Sequence, residues 1–224
     1  MMNNASPTLQ DAINTHTDWV AATADRFRIL LPLLRLLAEE GKPVEPMRLA
    51  TVSHHSLAEV FALVQSSDIE VDQTGKITGW GLTLLPTPHQ FHLGEKIFYG
   101  WCALDTLIFP ALLQATGKVV STCPATGTQI RLTETPEAIV NLSPEAAVIS
   151  ARSPGEAADP CKVREGFCLQ GHFFASREVA AAWPGLHPAA VLFSVEEAAQ
   201  LGREMARHIL ALEQKAEEHN QYSI

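Results

Sequence analysis

The run Trp101-Cys102-Ala103-Leu104-Asp105-Thr106-Leu107-Ile108-Phe109-Pro110 constrains this chain more than any other stretch. It is too apolar to stand in water, so it takes Cys102 and Asp105 inside with it. If the run is helical, the two residues lie at i and i+3 and share a face. A soft nucleophile beside a proton-bearing group suits chemistry in which sulfur takes a soft metal atom and a carboxyl handles a proton. The pair also has an ordinary explanation. Cysteine often packs as a small hydrophobe, and an aspartate in an apolar helix often pairs with a distant arginine.

The remaining cysteines shift the balance. There are four: Cys102, Cys123, Cys161 and Cys168. The opening residues, Met1-Met2-Asn3-Asn4, have neither the basic nor the apolar region of a secretory signal. The most apolar run, Leu30 to Leu37, is far shorter than a membrane span and is interrupted by Pro32 and Arg35. The expected location is therefore the cytoplasm, without membrane attachment. Thiols stay reduced there and are more often reactive or metal-binding than disulfide-paired. No CxxC, HxxxH or HExxH spacing supports a structural zinc site.

At 224 residues and 46% hydrophobic content, the chain can bury a sizeable core in one or two domains. Its net charge of -9 argues against a general nucleic-acid binder, which needs a basic footprint.

Residues 1–24 read as polar and alanine-rich, with a frayed start. Phe27, Leu30, Leu31, Leu34 and Leu37 recur at helical spacing until Gly41 and Pro43, with a kink expected at Pro32. Residues 46–52 predict a second helix, and Ser56-Leu57-Ala58-Glu59 is a capping box that opens a third. Residues 69–84 predict a hairpin turning at Gln73-Thr74-Gly75-Lys76. Three helices and a hairpin outline a winged helix. Its second and third helices offer only Arg48 as a cation, with His54 and His55 between them. A structural or interaction version of the fold is expected, not a DNA reader.

Pro86-Thr87-Pro88 predicts the division between an N-terminal domain, 1–85, and a second domain, 86–224. Residues 89–93 and 96–99 read as extended. Gly100 releases the chain into a helix running to about Gln114. Cys102 falls in its first turn, where the dipole favours a thiolate. A hairpin over 118–130 has Cys123-Pro124-Ala125-Thr126-Gly127 at its tip. Residues 146–151, 167–174 and 189–193 read as strands, the second carrying Cys168. Ser194-Val195-Glu196-Glu197 opens a final helix to about Lys215, followed by a charged, disordered tail. His172 reads as a core residue, and Arg164 with Glu165 as a solvated face.

Tyr99 to Leu112 resembles the signature of bacterial organomercurial (alkylmercury) lyases. So does Phe167-Cys168 followed by His172-Phe173-Phe174-Ala175-Ser176, and the loop Cys123-Pro124-Ala125-Thr126-Gly127 is similar to the family's middle cysteine loop. The stretch from Leu30 to Leu85 is similar too. The resemblance covers nearly the whole chain, with its motifs in the right order.

The resemblance implies an α+β fold, with a winged-helix-like N-terminal domain packed on an α+β catalytic domain. It implies that Cys102 and Cys168 are the essential thiols, that Asp105 is the third catalytic member, and that Cys123 is structural. It also implies protonolysis of the carbon–mercury bond of alkyl- and arylmercury compounds. Mercury is then substrate and product, held by Cys102, Cys168 and Asp105, and no cofactor is required. Small thiols and a mercuric reductase are the implied partners, with no nucleic acid and no membrane. Trp101, Phe109 and Phe167 are the expected apolar walls. One departure stands out. Many members carry two adjacent cysteines where this chain has Cys168-Leu169; Cys161, seven residues earlier in a loop, reads as a free surface thiol, with substitution for the missing neighbour as the alternative. Two rival readings share these residues: a winged-helix regulator sensing a soft metal, and a non-catalytic mercury-binding carrier.

Overall fold

The computed structural model describes residues 7–152 and 162–221, the last six by backbone alone. The first described element is a helix, α1 (Leu9–Ala22), in a stretch that the sequence marked only as polar and alanine-rich; the expected frayed start lies outside the described residues. A capping box between Thr8 and Asp11 starts it. Its buried stripe, Ala12, Ile13, His16, Thr17 and Val20, has helical spacing but weakly apolar members, so hydrophobic periodicity alone does not reveal it. α2 (Ala24–Glu40) follows, with Pro32 inside it and Gly41 ending it in the left-handed conformation. α3 (Pro46–Ser53) and α4 (Leu57–Gln65) complete the helical part. The Ser56–Glu59 capping box forms as predicted.

Strands β1 (Glu70–Val71) and β2 (Ile77–Trp80) form the expected hairpin. The hairpin does not end the unit. β3 (Leu82–Thr83) pairs with β2 on one side and with β5 (Lys96–Gly100) on the other. β4 (His89–Leu93) then pairs with both β5 and β6 (Gly117–Thr122). β7 (Gln129–Glu134) and β8 (Ile139–Ser143) complete an antiparallel sheet in the order β1-β2-β3-β5-β4-β6-β7-β8. One continuous sheet therefore holds strands from both sides of the Pro86-Thr87-Pro88 segment, and the β3–β5 backbone hydrogen bonds couple the two halves.

α5 (Ala103–Leu113) lies at the centre of the molecule, with nine of its residues buried. It packs against the last helix, α8 (Val195–Gln221), which runs six residues beyond the predicted end. Gly202 sets that approach. A Cβ there would stand 2.8 Å from the carbonyl oxygen of Leu107.

A second sheet, β10-β9-β11, is built from β9 (Val148–Ala151), β10 (Phe173–Phe174) and β11 (Val191–Ser194). Only Phe173–Phe174 of the predicted 167–174 strand forms one. The short helix α6 (Val163–Gly166) precedes it, and Cys168–Gln170 is a 3-10 turn. Ser150 explains the difference. Its buried hydroxyl donates to the carbonyl of Gln170 (2.7 Å) and accepts from the amide of His172 (3.1 Å), clamping the turn onto β9. The small helix α7 (Arg177–Ala181) follows β10.

Candidate active site

Cys102 is the N-cap of α5, one residue before the first helical turn. Its extended backbone leaves Sγ to accept from the amide of Asp105 (3.4 Å), while the Asp105 carboxylate accepts from the amide of Cys102 (2.9 Å). This is a capping box with a thiol in the place usually held by a hydroxyl. The i, i+3 spacing that suggested a shared face is thus a reciprocal cap.

Cys168 reaches the pair from the other direction. The amide of Ala103 donates to the carbonyl of Gly171, whose own amide donates to the carbonyl of Cys168 (both 3.0 Å). Glycine is needed at 171 because a Cβ there would lie 2.8 Å from Cys102 Cβ and 3.3 Å from its sulfur. The two sulfurs and a carboxylate oxygen of Asp105 all lie within 4.8 Å of one another. Both thiols are buried and unpaired by disulfides. The remaining exposed surface of Asp105 lines an adjoining cavity.

Burial governs the electrostatics. Desolvation pushes the Asp105 carboxyl up to about 6, although hydrogen bonds from Cys102 and Cys168 pull the other way. The thiol of Cys168 is raised well above its ordinary value by its hydrogen bond to Cys102, by desolvation and by the Asp105 charge. For Cys102, the Cys168 hydrogen bond favours the thiolate, but burial and the Asp105 charge outweigh it, and the net direction is upward. The helix dipole therefore does not lower this thiol as expected. The neighbouring carboxylate and the loss of water prevail over a partial charge.

The cavity holds about 100 Å³ and is walled largely by carbon. Phe109 and Phe167 line it as expected. Trp101 does not. Its indole N–H donates to Glu70 (3.1 Å), and the guanidinium of Arg164 lies 5.3 Å above its ring. Arg164 also pairs with Glu70, and its amide donates to Asp68 (2.7 Å), so this half-exposed side chain tethers the Cys168 segment to the hairpin, whereas Glu165 is exposed as expected. In place of Trp101, the wall includes His16 and Trp19 from α1, Phe27 from α2 and Trp80 from β2. Nothing in the sequence pattern assigns these residues to the site. The one available signal was two tryptophans in the helical half with no evident role there.

Cys123 lies outside this group. It is buried at the tip of the β6–β7 hairpin, where its backbone exchanges hydrogen bonds with Thr128 and Gly127 (both 2.9 Å). The ring of His172 packs among His89, Phe174 and Trp183. Cys161 falls outside the described residues. Arg48 lies 3.6 Å from Glu40, which weakens further the case for a basic reading helix. Among the described residues, no helix is long and apolar enough to cross a membrane.

A winged-helix-like unit shares its sheet with an α+β unit, and two thiols and a carboxyl are buried together beside a cavity. Comparison with known proteins assigns this arrangement to a family. The family model described as alkylmercury lyase matches residues 82–207, and that of the helix-turn-helix domain of alkylmercury lyase matches residues 8–81. The chain is 39% identical over 210 residues to an alkylmercury lyase from Streptomyces lividans, covering 93% of this chain and 96% of that protein. It is 42% identical over 175 residues to one from Staphylococcus epidermidis, covering 78% and 79% of the two chains. The crystal structure of the mercury-bound form of MerB2 superposes with a TM-score of 0.73 at 25% identity, covering 88% of this chain and 98% of that one. The chain belongs to the alkylmercury lyase family.

Proposed function

We propose that this protein cleaves the carbon–mercury bond of alkyl- and arylmercury compounds by protonolysis, with Cys102, Cys168 and Asp105 as its catalytic residues. The observation that carries this reading is the convergence of two sulfurs and one carboxyl within 4.8 Å beside an apolar cavity. Mercury is soft and thiophilic, so sulfur is its natural ligand. One of the two thiols displaces the ligand X of R–Hg–X, forming a sulfur–mercury bond while its proton leaves with X as HX. The second sulfur then adds to mercury, its proton passing to Asp105. With two thiolates on mercury, electron density shifts toward carbon. Asp105 delivers its proton to that carbon as the carbon–mercury bond breaks. The products are R–H and Hg(II) held by two sulfurs.

The electrostatics support these roles. Both thiols keep their protons until mercury displaces them, so the site does not bury two thiolates beside a carboxylate. A carboxyl titrating at about 6 accepts and returns a proton near neutral pH. Positioned proton transfer of this kind is worth roughly 10²–10⁴-fold in rate. The cavity walls exclude water and accept an apolar organic group.

Mercury on two thiolates leaves only by exchange, so this reading calls for small thiols and for a dithiol acceptor such as a mercuric reductase. The reading also places the protein in the cytoplasm, requires no resident cofactor, and keeps the division at 85/86 as one between a supporting and a catalytic domain. Single-turnover mixing with a phenylmercury compound tests it. Benzene released in stoichiometric yield is the expected result. Mercury bound without benzene would mean a carrier instead.

A further inference from the structure

Gly81 is the single residue between β2 and β3, where the wing meets the catalytic half. Its carbonyl accepts from the amide of Trp101 (2.9 Å), which seats the turn against the segment leading into Cys102. Its φ of +66° lies in the left-handed region, and the tight turn accounts for a glycine there. The turn does not account for what faces the missing side chain. A Cβ at 81 would meet Asp105 Oδ1 at 3.7 Å, Asp105 Cγ at 3.9 Å and Phe109 Cε1 at 4.0 Å, and nothing nearer outside its chain neighbours. These are ordinary contact distances, so that position is open space between the carboxyl and the Phe109 ring. Gly81, Asp105 and Phe109 all line the cavity.

The two oxygens of Asp105 are placed differently. Oδ2 accepts from the amide of Cys102 (2.9 Å), and Oδ1 is the one beside Gly81. In protonolysis the carbon on mercury must come within reach of an Asp105 oxygen. The substituents of that carbon then occupy the space beside the carboxyl, which Gly81 bounds. Room there is limited. A cavity of roughly 150 Å³ accepts benzene, so an aryl group needs most of a space of this kind. The cavity here holds about 100 Å³. A phenyl group uses all of it, whereas a methyl group leaves slack.

Resting on the lyase reading above, we propose that Gly81 is a specificity-determining residue: its missing side chain admits aryl and other bulky organic groups beside Asp105. A methyl group added at 81 meets no protein atom at clashing distance, so the site itself can accept it. It takes space from the substrate instead. A filled site resists an added methyl group, and a slack one absorbs it.

The test compares phenylmercury with methylmercury. It follows benzene and methane release as a ratio of kcat/KM values within each protein preparation. Such a ratio is independent of the folded fraction and cancels the compounds' intrinsic reactivity when proteins are compared. The phenyl-to-methyl ratio should fall by at least about 5-fold in Gly81→Ala, the low end for a methyl group forced into a filled space. Gly81→Asn is the second variant, because asparagine adopts left-handed backbone more readily than alanine, and it should lower the ratio too. Gly75→Ala controls for strain: its φ is +83° in the same hairpin, with nothing within 4 Å of the added Cβ, and the ratio should hold. Ratios within about twofold of wild type in both Gly81 variants, however much each rate falls, make Gly81 a requirement of the turn alone and overturn the proposal. An equal fall in Gly75→Ala overturns it as well, since strain without crowding would then suffice. Release of hydrocarbon from neither compound by the wild type overturns the lyase reading itself, which is a distinct failure.

Discussion

Cys102 and Asp105 cap each other: the sulfur of one accepts the amide of the other at 3.4 Å, and the carboxylate returns the arrangement at 2.9 Å. The groups that begin α5 are the ones proposed to handle mercury and the proton. Helix initiation and chemistry therefore share atoms, and substitutions can separate the two contributions.

Cys102→Ser should separate them most clearly. Serine is a preferred N-cap, so the variant should match the wild type in thermal stability or exceed it by up to about 1 kcal/mol. Its oxygen is a hard, weakly acidic replacement for sulfur, so hydrocarbon release should vanish. Calorimetry beside gas chromatography of the products checks both halves. Turnover near the wild-type rate would remove Cys102 from the mechanism.

Asp105→Asn keeps the shape of the cap but cannot deliver a proton. The variant should bind R–Hg and hold it, visible by intact mass as protein plus R–Hg. Release should fall by at least about 100-fold, the lower range for a lost general acid. If Asp105 serves only to start the helix, each folded molecule should still release hydrocarbon at the normal rate.

Gly171→Ala tests how closely the two cysteine segments must meet. The added methyl would stand 2.8 Å from Cys102 Cβ, so either the Cys168 turn or the Cys102 side chain must shift. Displacement of a reacting group by about 1 Å can cost on the order of 100-fold, and kcat/KM should drop on that scale while circular dichroism stays native. An unimpaired rate would show that the sulfurs do not need this approach.

Glu134 gives stability a pH dependence that is unrelated to mercury. It is buried on β7 with both carboxylate oxygens lacking a hydrogen-bond partner among the described residues, and Arg203 is 3.6 Å away. Desolvation is the main cause that raises its carboxyl to about 9, against the pull of the Arg203 charge. Both folded and unfolded states hold the proton below the ordinary value of 4.5. As pH rises toward 9, the unfolded chain releases it first, so stability falls across that window. Glu134→Gln should flatten the decline. Urea unfolding at pH 6 and pH 8.5 should show the variant gaining on the wild type at the higher pH, and parallel curves would refute the assignment.

Much of the site was legible in the sequence because its first half is local. The i, i+3 spacing of Cys102 and Asp105 and the apolar run around them determine a buried helix start, and the Ser56–Glu59 and Ser194–Glu197 boxes mark helix starts by the same short-range rule. Hydrogen bonds between near neighbours leave a periodic trace that can be read without coordinates. The resemblance of the cysteine motifs supplied the pairing of Cys102 with Cys168, which spacing alone does not contain.

Tertiary structure decided the rest. Whether Cys168 meets Cys102 depends on a bond from Ala103 to Gly171 and on the Ser150 clamp, contacts between segments far apart in the chain. The same packing turned an apparent strand at Cys168 into a tight turn, and it drew Trp19 from an apparently polar N-terminus into the cavity wall. It also reversed the expected fall in the Cys102 pKa, since the helix dipole is a local property whereas desolvation and the charge of a neighbour depend on everything packed around the thiol. Short-range pattern alone places Cys102 and Asp105 together at the buried start of α5. Only the folded chain decided what else they would face.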